Sequence, residues 1–147
     1  MEVKCATSFD ERFDPANVLD HGKPQKFWIT TGLYPQELMI QFERPKSLSE
    51  VRFQTTGGKL TASRLHSACA SFLTVLCVPA RRVIIEGCKQ ASSSDFIKIG
   101  ESKELPQRNA GLQNDSVTIT DNAPMNSIKF IILDGWDDFS SVHSIVP

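Results

Sequence analysis

The sequence lacks the usual signatures of metal and redox chemistry. It has four cysteines but no Cys-x-x-Cys pair, and its three histidines stand far apart. That excludes a zinc knuckle or a thioredoxin-type site. It has almost no net charge, −1 at pH 7, and so no bulk electrostatic attraction for nucleic acid or an anionic membrane. Lys103, Arg108 and the Arg81-Arg82 pair are too dispersed to form a nucleic-acid footprint. No apolar run approaches the roughly 20 residues of a spanning helix. The start, Met1-Glu2-Val3-Lys4-Cys5, lacks the long apolar core of a secretion signal. The expectation is a soluble, intracellular protein without direct membrane insertion. Cys5, Cys69, Cys77 and Cys88 are then expected as reduced thiols, several buried as small hydrophobes.

What is present is strand. With 40% hydrophobic and 22% charged residues over 147 positions, the composition is that of a globular protein, and residues 1–147 read as one domain with a sizeable core. Leu38, Ile40 and Phe42 fall on one face of Gln36–Glu43 at period two, the pattern of a half-buried antiparallel strand. Arg44 to Ser47 reads as a turn, and Leu48–Thr55 as a strand with Val51 and Phe53 pointing the same way. Val3–Thr7, Arg82–Lys89, Asp95–Gly100, Ser116–Thr120 and Val142–Val146 are further strand candidates. Ser127–Asp134 is nearly continuous in apolar residues and is expected at the centre. Glu101–Asn114 is polar, contains Pro106 and Gly111, and reads as a long connection. Short strands at a spacing of roughly 8–12 residues indicate an all-β sandwich or barrel. Alternating helices, which a doubly wound fold needs, are absent.

Residues 57–80 fit this pattern poorly. Leu60, Leu65, Ala68, Cys69, Phe72, Leu73 and Leu76 approximate a helical face, yet Phe72–Val78 suits a strand equally well. Either element stands where a sandwich expects a short connection.

The organising stretch is Asp14–Thr31. Asp14 before Pro15 reads as a helix N-cap with proline in the first turn, giving one short helical turn to Leu19. Gly22 and Pro24 bring turn chemistry, and the chain then delivers Phe27 and Trp28 as a core plug. Asn17 and Asp20 offer oxygens, either to cap turns or to hold a cation.

The run Asn17-Val18-Leu19-Asp20-His21-Gly22 followed by Phe27-Trp28 resembles the early signature of discoidin, or coagulation factor C-type, domains. Phe27 to Glu37, Leu112-Gln113-Asn114, and the ending from Phe130 through Asp138-Phe139-Ser140-Ser141-Val142-His143-Ser144 resemble the intraflagellar transport protein 25 family, also called heat-shock protein beta-11. The resemblance covers residues 1–57 and 81–146 and implies a galactose-binding-like jelly-roll β-sandwich. Residues 58–80 then stand out as an extra apolar insert, a surface insertion or a retained-intron translation. Its removal would join the flanking strands through a tight turn.

The resemblance also implies a non-enzymatic subunit of intraflagellar transport complex B. Its implied partner is a Rab-like small GTPase, intraflagellar transport protein 27, in a heterodimer. Its implied place is the cilium or flagellum and basal body, with a cytoplasmic pool. Many relatives carry a structural calcium ion under the organising loop. Carried over position by position, its ligands would be Asn17, Asp20, Lys23 and Lys26, the two lysines through backbone carbonyls only. Calcium prefers about six to eight oxygens.

Other clusters are weighed on chemistry. His143 beside Ser141 and Ser144 has no partnered carboxylate signature, so no catalytic role is expected. Asp134, Asp137 and Asp138 around Trp136 suit a metal, a solvated loop or a protein-docking edge. The alternative to a transport subunit is a carbohydrate- or lipid-binding module using loops at one end of the jelly roll, with Tyr34 and Trp136 as its contact residues.

Overall fold

The continuous apolar run at Ser127–Asp134 lies in the middle of the first of two antiparallel sheets. The computed structural model describes residues 1–21, 23, 26–61, 74–77, 79–90, 95–107 and 111–147, with 57–61 and 74–77 described by their backbone. In chain order the strands are β1 (Glu2–Ala6), β2 (Trp28–Ile29), β3 (Gln36–Lys46), β4 (Glu50–Thr61), β5 (Thr74–Cys77), β6 (Ala80–Cys88), β7 (Ile97–Glu101), β8 (Gly111–Thr118), β9 (Met125–Gly135) and β10 (Ser141–Val146). The first sheet runs β1-β3-β9-β6-β7 and the second β2-β10-β4-β5, with β8 paired to β4. Two single turns of 3-10 helix, Glu11–Phe13 and Pro15–Leu19, connect β1 to β2. The fold observed is an all-β sandwich, one of the two architectures indicated by the spacing of strands, and agrees with the jelly roll implied by the resemblance.

Alternation explains which faces meet. Leu38 and Ile40 on β3 stand opposite Phe130 and Ile128 on β9, and all four are wholly buried. Val51 and Phe53 on β4 and Val142 and Ile145 on β10 close the core from the second sheet. Phe53 and Phe130 meet edge to face across the two layers, centroids 5.1 Å apart, an orientation the aromatic quadrupole favours. Burying each such side chain contributes about 1.5–3 kcal/mol. Ile131 is buried on the opposite face of β9, which accounts for the unbroken apolar run.

Four expectations change. Arg44-Pro45-Lys46 is not a turn but the end of β3, carried past a register shift between Gln41 and Lys46. A proline is tolerated there because the bulge removes the ladder bond its missing N–H would have made. The long connection Glu101–Asn114 ends early, because β8 begins at Gly111 and pairs with β4 along its whole length. Gly111 has φ 86°, a conformation glycine adopts without cost. Thr74–Cys77 is a strand, and it pairs with Gly58–Thr61, so the strand reading holds there and the helical one fails at positions 60 and 76. Leu65, Ala68, Cys69, Phe72, Leu73 and Val78 lie outside the described residues. Finally, β4 and β6 belong to different sheets, so a turn joining them without residues 58–80 would cross between the sheets.

Cys5 is exposed, Cys88 is buried, and neither forms a disulfide. Among the described residues no helix is long and apolar enough to cross a membrane.

Candidate functional site

The corner between β1 and β2 is built by two caps. The Asp14 carboxylate accepts from the Ala16 N–H at 2.7 Å, starting the Pro15–Leu19 turn that buries Pro15 and Val18. Asp10 does the same for the preceding turn, accepting from Arg12 N at 2.9 Å and pairing with its guanidinium at 2.7 Å. The hydrogen bond from Arg12 holds the Asp10 carboxyl down to about 2. Gly22 and Pro24 lie outside the described residues.

Phe27 and Trp28 are both buried, but on opposite sides of β2. Trp28 is wholly buried in the core between the sheets and donates from Nε1 to Ser8 O at 3.0 Å. Phe27 belongs to a separate apolar cluster, stacked on Phe13 at 4.6 Å and tilted against the His143 ring at 4.9 Å. The plug is therefore a two-sided clamp.

The four residues carried over as calcium ligands do come together, joined by hydrogen bonds and ion pairs. Asn17 donates its side-chain amide to Phe27 O at 3.2 Å. The Lys23 carbonyl accepts from Lys26 N at 2.9 Å. Asp20 Oδ2 lies 2.5 Å from Lys26 Nζ and 3.6 Å from Lys23 Nζ. Hydrogen bonding from Lys26, then the charge of Lys23, holds the Asp20 carboxyl below its usual value. Among the described residues no group of three or more His, Cys, Asp or Glu side chains is placed to hold a metal ion. One carboxylate facing two ammonium groups does not fit a calcium ion, which needs an oxygen cage of net negative charge.

The opposite feature is a loop end formed by residues 7–10, 30–36 and 136–140. Its base is cross-braced. Tyr34 OH and Ser140 Oγ are 2.7 Å apart, Thr30 N donates to Ser140 O at 2.9 Å, and Ser140 N donates to Thr30 Oγ1 at 2.8 Å. Thr7 Oγ1 donates to Gln36 Oε1 at 2.8 Å, and the Gln36 amide donates back to Leu33 O. A Cβ at Gly135 would lie 2.2 Å from Tyr34 OH, so only glycine lets the tyrosine lie across this base. Burial pushes the Tyr34 phenol up, outweighing its hydroxyl hydrogen bonds. Above the base, Leu33 is 80% exposed, Phe9 59% and Phe139 43%. These three apolar tips carry no periodic signal, and sequence reasoning passed over them.

The acidic cluster separates. Asp134 pairs with Arg82 at 3.1 Å across β6 and β9, while Asp137 accepts from Asp138 N at 2.9 Å. Trp136 is half-buried, donating to Leu105 O at 3.1 Å with the Arg81 guanidinium 4.9 Å above its ring. His143 Nε2 meets Thr56 Oγ1 rather than a serine, and Ser144 Oγ lies 3.0 Å from His21 Nδ1.

No protein-family model matches the chain. The intraflagellar transport protein 25 homolog of Mus musculus is 33% identical over 144 residues, covering 98% of this chain and 83% of the mouse protein. The chain belongs to the intraflagellar transport protein 25 family. The intraflagellar transport protein 25 of Chlamydomonas reinhardtii is 31% identical over 143 residues, 97% of this chain, and the chain spans 62% of that relative's length. Among solved structures, a family 32 carbohydrate-binding module from C. perfringens NanJ in complex with galactose superposes with a TM-score of 0.69 at 14% identity, covering 96% of this chain and 88% of that one. A chitosan-binding module from Paenibacillus sp. IK-5, in complex with chitotriose, gives 0.67 at 12% identity, covering 97% and 92%. At that identity the likeness shows a shared discoidin-like fold.

Proposed function

We propose that this chain is a non-catalytic subunit of the intraflagellar transport machinery, within complex B, that forms a heterodimer with a Rab-like small GTPase. It works in the cilium or flagellum and at the basal body, with a cytoplasmic pool. The observation that carries the reading is family membership over nearly the whole chain. The loop end supports it physically. Braced loops presenting exposed apolar tips are what a protein partner buries at an interface centre, and the hydrogen-bonded base lowers the cost of ordering them on binding.

Carbohydrate binding, the alternative suggested by fold, is less well supported. A sugar platform needs an open aromatic face, and Trp136 is capped by Arg81 while Tyr34 is spent on Ser140. The chain is expected to co-purify from ciliated cells with a small GTPase at one-to-one stoichiometry. Recovery without any GTPase, together with glycan-array binding of the isolated protein, would replace this reading with the alternative.

A further inference from the structure

We infer that the corner at Asp20 carries its own cation: the Lys26 ammonium, seconded by Lys23, occupies the place a divalent ion would take and closes the loop without metal. Distance and charge both weigh against a second cation there. A calcium ion sits about 2.3–2.6 Å from each ligand oxygen, and Lys26 Nζ is already 2.5 Å from Asp20 Oδ2. An ammonium at that distance takes one of the coordination positions on Oδ2 and repels a second cation brought to the same carboxylate.

Hydrogen bonds tie the same residues together. Asp20 N donates to Asn17 O at 3.0 Å and Lys26 N to Lys23 O at 2.9 Å, and the Asn17 amide donates to Phe27 O at 3.2 Å. Charge points the same way, since one carboxylate with two lysines already carries a surplus of positive charge that a divalent ion would raise further. A bridge from residue 20 to residue 26 fixes the strand entry that sends Phe27 to one face and Trp28 to the other. Its strength then depends on ionic strength and not on calcium.

The test uses the full chain and its thermal unfolding in excess calcium chloride and in EGTA. The expected result is one melting temperature for both conditions in the native protein and no saturable heat on titration with calcium chloride. Lys26→Gln should melt lower by about 1–3 °C at low salt, the range for an exposed pair in a chain of this size. Asp20→Asn should add nothing further in the Lys26→Gln background, and Lys26→Arg should restore the native value. A calcium-dependent rise confined to the Lys23→Gln/Lys26→Gln double variant would also support the assignment. A rise of several degrees with calcium in the native protein would overturn it, as would a Lys26→Gln variant that melts with the native one at low salt.

Discussion

The corner at residues 10–29 and the loop end at 30–36 and 136–140 use similar residue types to opposite effect. In the corner, polar groups pair locally and both aromatics are buried, Trp28 in the core and Phe27 in its own cluster. At the loop end Thr30, Tyr34, Gln36 and Ser140 pair as well, yet Leu33 and Phe139 stay outside. The corner spends its side chains on closing itself. The loop end spends them on holding still a surface that none of the described residues covers. A binding surface is therefore marked here by what a braced structure leaves over, and the richest cluster of polar residues is not the best guide to it.

The largest expected effect separates the two regions by stability. Trp28→Ala should cost about 3–5 kcal/mol, read from urea denaturation, whereas Leu33→Ala should stay within about 0.5 kcal/mol of the native protein. Comparable losses would erase the distinction. Next comes binding. Leu33→Asp combined with Phe139→Asp should weaken capture of the small GTPase by at least about tenfold, the effect of removing an interface anchor, with an unchanged melting temperature. Isothermal titration on the purified pair measures it.

A third substitution asks whether unpaired polar groups inside the fold mark a site. Gln113 is wholly buried opposite Thr55 on the second sheet, and neither side chain has a hydrogen-bond partner among the described residues. Replacing an unsatisfied amide by an apolar group of similar shape removes its desolvation cost, so Gln113→Met should stabilise by about 1 kcal/mol and leave GTPase binding unchanged. A loss of binding would move the functional surface away from the loop end.

The smallest effect concerns acid. The Asp10 carboxyl is held at about 2 against an ordinary 3.8. A carboxyl depressed in the folded state contributes stability that is complete above 3.8 and lost as pH falls toward 2. Asp10→Asn should flatten that part of the acid limb in a melting-temperature series. An unchanged slope would show that the Arg12 pair contributes nothing to the corner.

The elements legible in the sequence were those whose buried face is apolar. Leu38, Ile40 and Phe42 announce β3, and the run through Ile128, Phe130 and Ile132 announces β9. Residues 111–115 of β8 stayed hidden because the position packed inward there is Gln113, so period two gave no contrast in polarity. The Asp14 cap and its proline were legible because capping is local chemistry. The partners of Asp20 were not taken from the sequence, although two lysines three and six residues on were a signal for them. Phe27 and Trp28 were read as one plug because adjacency hides that successive strand residues point to opposite faces. The exposed tips followed from no pattern, since one apolar residue in a turn has no period.

The most direct test is a quantitative pull-down from ciliated cells with three baits: the native chain, Leu33→Asp/Phe139→Asp and Lys26→Gln. A small GTPase should be recovered one-to-one with the native bait and with Lys26→Gln, and be depleted at least about tenfold, as for loss of an interface anchor, with the loop-end variant. Full recovery of the GTPase on the loop-end variant, or its loss on Lys26→Gln alone, would contradict the division between a self-contained corner and a docking loop end.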